Sequence, residues 1–548
     1  MKKAEKNKRK IYNLTPLLLI IIIFSMSIGY SALQQTLFVR GDAKISAPEY
    51  KIEIKSIKPA IKTSGSGNSG YQYATPTFSN TEGAMYSTLP NITSNMSYDI
   101  EIRNVGLSSG VLDYIFVAQD NNEMKYKIGG INTGDILAPG EKITVRVEIE
   151  YWDNAFQITL DTVATMINFE FLQYSDSYSN ECTLTWDGSS VATPVTRNIY
   201  GLDYYQISNA NELAWFSNQI NSGTNDINAI LTDDICLNSK TFTQIGTTNP
   251  YTGIFDGQNR TIRDYAFSQN TEQKGNYTSF IGLFRDNKGY IKNTNLTVNI
   301  SDTVSYKPPT LGGNHKVTEY IGGLVTNNTG IISNASVSGT INTEYTVKTS
   351  CAIARPNGYY YIGGIAGQNS GVITGSYNKT KININNSLES PICNYSKYEH
   401  LYIGGLTGQN SGFISDSYNK AELGTHVHID HKNTEYWGYI GGLIGESTSG
   451  TIKNSYSVGA ITHTTDVEES DGDTIIDTIS GCAIGSSAST VSNVYYENTC
   501  SYGGAGIAAT PADMKDTSLD IESFLGNYFR TDTGNINGYY PVLKWQTK

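Results

Sequence analysis

Residues 361–382 read YIGGIAGQNSGVITGSYNKTKI, and the template returns as YIGGLVTNNTGIISNASVSGTI from Tyr320, YIGGLTGQNSGFISDSYNKAEL from Tyr402 and YIGGLIGESTSGTIKNSYSVGAI from Tyr439. Weaker copies flank these four, FIGLFRDNKGYIKNTNLTVNI from Phe280 and ISGCAIGSSASTVSNVYY from Ile479. The matching apolar positions Ile291, Ile332, Ile373, Ile414, Ile452 and Val491 are separated by steps of 41, 41, 41, 38 and 39. Self-similarity with such a period marks an array of stacked units, none of which can bury its apolar face alone.

Paired glycines such as Gly363 and Gly364 permit close backbone approach. Asn369 and Gly371, repeated as Asn410 and Gly412, suit a corner with left-handed φ. A second strand then runs from Ile373 to Tyr377. The shorter opening unit YTGIFDGQNRTIRDY puts Ile262 only 29 residues before Ile291, so the extra residues of later units read as loops. Strands that pair with their equivalents in the next coil predict a parallel β-helix.

Upstream, NANELAWFSNQI has Asn209 as helix N-cap and Glu212 three residues on, the spacing of a capping box. Leu213, Phe216 and Ile220 share one helical face, which suits a helix closing the open end of the stack. Nearer the N-terminus the period drops to two. Leu37, Val39, Gly41, Ala43 and Ile45 alternate with polar residues, as do Tyr98, Ile100 and Ile102, then Ile143 to Tyr151, then Ile167, Phe169 and Phe171. With a turn at Pro139–Gly140, this predicts an antiparallel β-sandwich over 36–177. The Gly/Ser/Thr/Asn-rich stretch 63–80 reads as a loop.

The first ten residues are basic and Leu17 to Ile28 are apolar, 12 residues in all. That length matches the core of a secretory signal, with Gly29 and Ser31 as small residues before a cleavage site. A retained membrane anchor over the loosely apolar span 11–33 is the other reading. Both export the body. Charged residues make up only 16% of the chain and the net charge is −12, without a basic stripe after residue 10. Nucleic acid is therefore excluded as a partner.

Two resemblances follow. GYSALQQTLFVRGDAKI resembles the start of Gram-positive exported proteins with camelysin-type signals, which implies an immunoglobulin-like module near the envelope. The repeats resemble the GLUG motif: Gly405, Leu406 and Gly408 match it, as do Gly442, Leu443 and Gly445, while Thr326 and Arg285 replace the last glycine in their copies. GLUG repeats imply a solenoid at the bacterial cell surface. Some occur in immunoglobulin A peptidases, but the HExxH zinc motif of those enzymes is absent here.

The organisation expected is all-β. A signal peptide or N-terminal membrane anchor (1–35) precedes an immunoglobulin-like sandwich (36–177), a linker (178–200) and a parallel β-solenoid with caps at both ends (201–548). The function expected is non-catalytic adhesion, binding or envelope scaffolding, with an unknown protein or glycan as ligand. The alternative is a polysaccharide lyase or glycosidase on a β-helix. Catalytic residues and cofactors are not assigned. Asp256 reads as a structural turn residue, and 466–477 as a solvated acidic loop.

Binding is placed on polar insertions after each second strand (301–319, 342–358, 381–400, 422–438 and 462–477), which recur at one phase of the coil. Tyr395, Tyr398, Tyr436 and Trp437 are the aromatics assigned to that surface, against packing of the rings onto their own coil. His426 and His428 share a strand face and His463 lies 37 residues after His426, so one coil could stack them as metal ligands, though polar loops often carry histidines. Cys351 and Cys393, 42 residues apart against a step of 41, are expected to meet across neighbouring coils as a disulfide. Cys482 with Cys500 and Cys182 with Cys236 follow by elimination.

Overall fold

The computed structural model describes residues 51–60, 71–72, 74–90, 94–119, 124–132, 134–151, 163–173, 186–199, 202–307, 313–348, 354–389, 397–430, 434–469, 475–516, 518, 520–526 and 528–546. The signal or anchor, the strand expected at Leu37–Ile45, and Tyr395, His431, Cys182, Cys351 and Cys393 lie outside these residues. Among the described residues no helix is long and apolar enough to cross a membrane.

Two antiparallel sheets enclose the N-terminal core. One orders Ile52–Pro59, Asn95–Asn104, Lys142–Tyr151 and Met124–Gly129; the other centres on Glu82–Thr88, Val163–Gln173 and Gly110–Gln119. Period-two residues face inward, so Tyr98, Ile100, Val145, Val147, Ile167 and Phe169 are all buried. The stretch 63–80 is not wholly loop: Tyr71–Gln72 and Thr77–Phe78 add short strands to the second sheet.

The repeats wind as coils of parallel strands. One coil runs Ala354–Gly363, Ala366–Asn369, Val372–Thr374 and Tyr377–Glu389, and each strand pairs in register with its equivalent one coil on. Ile291, Ile332, Ile373, Ile414, Ile452 and Val491 form one column, as expected. The first units are phased differently. Ile291 pairs with Phe255, whereas Ile262 pairs with Leu296.

A Cβ on Gly363 would lie 2.0 Å from the Ala366 carbonyl oxygen, so this corner needs glycine for space. The Asn369 corner is built otherwise than expected. Asn369 does not adopt positive φ; the left-handed column is Asn293, Asn334, Gly375, Asp416, Asn454 and Asn493, at the bend between the third and fourth strands. Asn369 instead donates through Nδ2 to Asn410 Oδ1 at 2.7 Å, within a buried ladder that includes Asn287→Asn328 and Asn328→Asn369, each 2.8 Å. Unpaired buried amides cost about 1–3 kcal/mol each, so the ladder resists register slips.

The helix Ala210–Ser222 closes the N-terminal end. Glu212 N donates to Asn209 Oδ1 (3.1 Å), and the returning carboxylate accepts from Ser208 N (2.7 Å). Leu213, Phe216 and Ile220 are fully buried, and Phe216 meets Tyr251 and Phe255 with ring centroids 5.7 Å away. At the other end Ile507–Ala509 pairs with Thr490–Glu497, and a Cys482–Cys500 disulfide fastens this turn. The closing stretch NGYYPVLKWQ adds no strand to the stack. Its Val542–Leu543 pairs with Phe529–Arg530, and this C-terminal segment packs sideways on the stacked column Tyr377, Tyr418 and Tyr456.

The sandwich docks on the first coils. Arg260 Nη2 donates to Asp113 Oδ1 (2.5 Å) and to the Asp113 carbonyl (2.9 Å), with both side chains buried. Lys292 Nζ donates to Tyr126 Oη (2.6 Å) and pairs with Asp256 at 3.2 Å. Phe116 meets Tyr204 edge to face at 5.1 Å.

Candidate functional site

The insertions are not loops where they are described. Asn295–Tyr306 with Gly313–Gly322, Ser336–Lys348 with Ala354–Gly363, and Tyr377–Glu389 with Lys397–Gly404 are long strands that pair coil to coil. They form a two-layered extension of each coil. Side chains alternate between the space between its layers and its outer faces.

This alternation divides the aromatics assigned to binding. Tyr436 is fully buried between the layers, as are Tyr306, Tyr345 and Tyr360. Tyr436 is therefore removed from the binding surface, because its strand position points inward. Trp437 and Tyr398 are half-buried, and Trp437 stands on the outer face beside His400, with ring centroids 6.4 Å apart. In the same face Phe280, Tyr320, Tyr361, Tyr402 and Tyr439 stack at 4.8–5.2 Å, so their ring faces are occupied by one another.

The opposite outer face carries a groove of about 470 Å³ across five coils. One column along it is Ser301, Asn342, Asn383, Gly424 and Thr462; the other is Thr303, Glu344, Asn385, His426 and Thr464. Hydroxyls and amides dominate. Asn383 Nδ2 donates to Asn342 Oδ1 at 2.8 Å, which orients the amides along the axis. The sequence showed these residues only as polar and variable; the signal that could have found them is their recurrence two positions apart in every unit.

The histidines do not converge. In register Thr425 lies opposite His463 and His426 opposite Thr464, so His426 faces the groove while His463 faces inward. Both His463 nitrogens are engaged, Nδ1 with Thr425 Oγ1 (2.6 Å) and Nε2 with Thr465 Oγ1 (3.0 Å). His428 shares the outer face with His426 and stands opposite Asp466. Among the described residues no three His, Cys, Asp or Glu side chains are placed to hold a metal ion. Asp256, buried, accepts from Asn293 Nδ2 (3.0 Å) and Gln258 N (3.1 Å) and pairs with Lys292, which accounts for it structurally. Cys236 is disulfide-bonded, with its partner outside the described residues.

Between the layers sits a cluster of acids that the sequence did not announce. Asp302 and Glu319 are buried close together; Gln269 Nε2 donates to Asp302 Oδ1 (2.6 Å), and Tyr345 Oη lies 3.4 Å from Asp302 Oδ2. Glu399 is buried nearby against Tyr360. Burial, and then the neighbouring charge of Asp302, hold the Glu319 carboxyl well above the usual carboxylate range; burial alone raises Asp302. An acid whose folded-state pKa is raised stabilises the fold fully below its unfolded value near 4.5, and that contribution is lost as pH rises through the folded value. Glu319→Gln is thus expected to raise stability at pH 8 and to flatten the fall in stability between pH 5 and pH 8. Urea denaturation at both pH values checks this, and an unchanged slope counts against it.

No family model, curated protein or solved structure matches this chain.

Proposed function

We propose that this chain is an exported, non-catalytic binding protein of the cell surface, whose solenoid engages an extended polar ligand laid along its axis. The observation that carries the reading is the five-coil groove, where hydroxyl and amide columns recur with the coil repeat. A ligand with its own regular repeat meets the same groups at each coil. Its length then multiplies weak contacts into useful affinity. Export rests on the basic and apolar N-terminus, and the surface location on the likeness of the repeats to GLUG units.

The test is incubation of the full chain with purified envelope polysaccharide and with host glycoprotein, following retention and chemistry together. The reading expects one of these to be retained intact. Reducing ends or unsaturated products that accumulate in proportion to protein would establish the polysaccharide-active enzyme instead.

A further inference from the structure

A second concavity lies where the sandwich meets the C-terminal segment. It is a cleft of about 290 Å³ with two unlike walls. One wall is the outer face of the four-stranded sheet, with Arg146, Asp99, Lys127, Gly129 and Glu148; the other is Tyr528, Lys544 and Trp545 of the C-terminal segment, and Asn334 also lines the cleft. Clefts at domain junctions are favoured ligand sites, and this size admits one or two small rings but no macromolecule.

Both walls are held by polar and ring contacts. Arg146 Nε and Nη2 donate to the two oxygens of Asp99 at 2.8 and 2.9 Å. The Lys127 ammonium pairs with Glu150 (2.8 Å) and sits 3.7 Å from the Tyr528 ring centroid. Trp545 Nε1 donates to the Gly375 carbonyl (2.8 Å), and the indole packs on Tyr377 at 5.6 Å. A charged ligand gains little from Arg146 and Lys127, which already have carboxylate partners, and the other two charged residues lining the cleft, Glu148 and Lys544, are opposite in sign. A wholly apolar one would bury the Arg146–Asp99 pair against hydrocarbon. The match is a neutral ring with one C–H face and a rim of hydroxyls. Its C–H face lies on the part-exposed indole of Trp545, because Tyr528 is only 8% exposed and carries the Lys127 ammonium, and its hydroxyls reach the planar guanidinium–carboxylate pair and the Asn334 amide.

We infer that the junction cleft binds a neutral pyranose, the end or a branch of a glycan, and that the bound sugar bridges the two domains. This site does not depend on the groove. Saturation-transfer NMR of the full chain with the methyl glycosides of glucose, galactose, mannose and N-acetylglucosamine tests it. At least one glycoside is expected to bind saturably. A Cβ on Gly129 meets nothing within 4 Å, so Gly129→Trp fills the cleft without displacing the fold and is expected to weaken that binding about tenfold or more. Thr144→Trp, at an exposed position on the same wall, serves as the second blocking variant. Asn383→Arg, in the groove, is expected to leave it unchanged. Failure of all four glycosides to bind, or binding that survives both tryptophan substitutions, overturns the assignment.

Discussion

Replacing Arg260 by leucine is expected to cost about 3–5 kcal/mol and to split one unfolding transition into two. Arg260 comes from an early turn of the solenoid and Asp113 from the sandwich, and their side chains are only 6% and 3% exposed. Removing the guanidinium leaves the Asp113 carboxylate buried at the junction without the two bonds that Arg260 Nη2 supplies to that residue. The loss falls on docking, because neither core contains the pair. Scanning calorimetry is expected to show two separate endotherms, and the double variant Arg260→Leu/Asp113→Leu to recover much of the loss, since a buried pair replaced by apolar groups is often neutral. A single transition at the original temperature contradicts the docking described.

Phe216→Ala is expected to cost a similar amount, about 3–5 kcal/mol, for a different reason. Phe216 is the fully buried residue of the capping helix that meets Tyr251 and Phe255. Truncation opens a cavity over the first coil, at the N-terminal end of the column of stacked side chains. The urea midpoint is expected to fall, and binding of a hydrophobic dye to rise before global unfolding. Glu212→Ala, at the exposed end of the same helix, is expected to cost only about 1 kcal/mol. If the two variants lose equal stability, the helix is an appendage and does not close the stack.

The stacked coils and their cap were legible because their signals are local or strictly periodic. Ile332, Ile373 and Ile414 repeat at the coil step, and the helix announces itself through Asn209, Glu212 and one apolar face. The extension was not legible. Its inward positions include Asp302, Glu319, Thr343, Asn386 and Glu399, polar residues that hide the period-two alternation and, Thr343 apart, have low strand propensity. Those strands are specified by the neighbouring coil. Stacking of His426 with His463 failed by one residue. The step from Leu423 to Ile461 is 38, one more than the step from Ile403 to Ile440, and one residue reverses the face of a strand. The docking contacts were invisible because Arg260 and Asp113 lie 147 residues apart.

The double variant Asn383→Arg/Asn385→Arg bears directly on ligand binding along the groove, because both side chains line it on neighbouring columns and neither belongs to the core. The measurement is the affinity of the full chain for whichever envelope polysaccharide or host glycoprotein it retains, by titration calorimetry. A loss of about tenfold or more in affinity is expected, with the melting temperature nearly unchanged. Unaltered affinity in a folded double variant would contradict binding along the groove and place the binding surface elsewhere on the molecule.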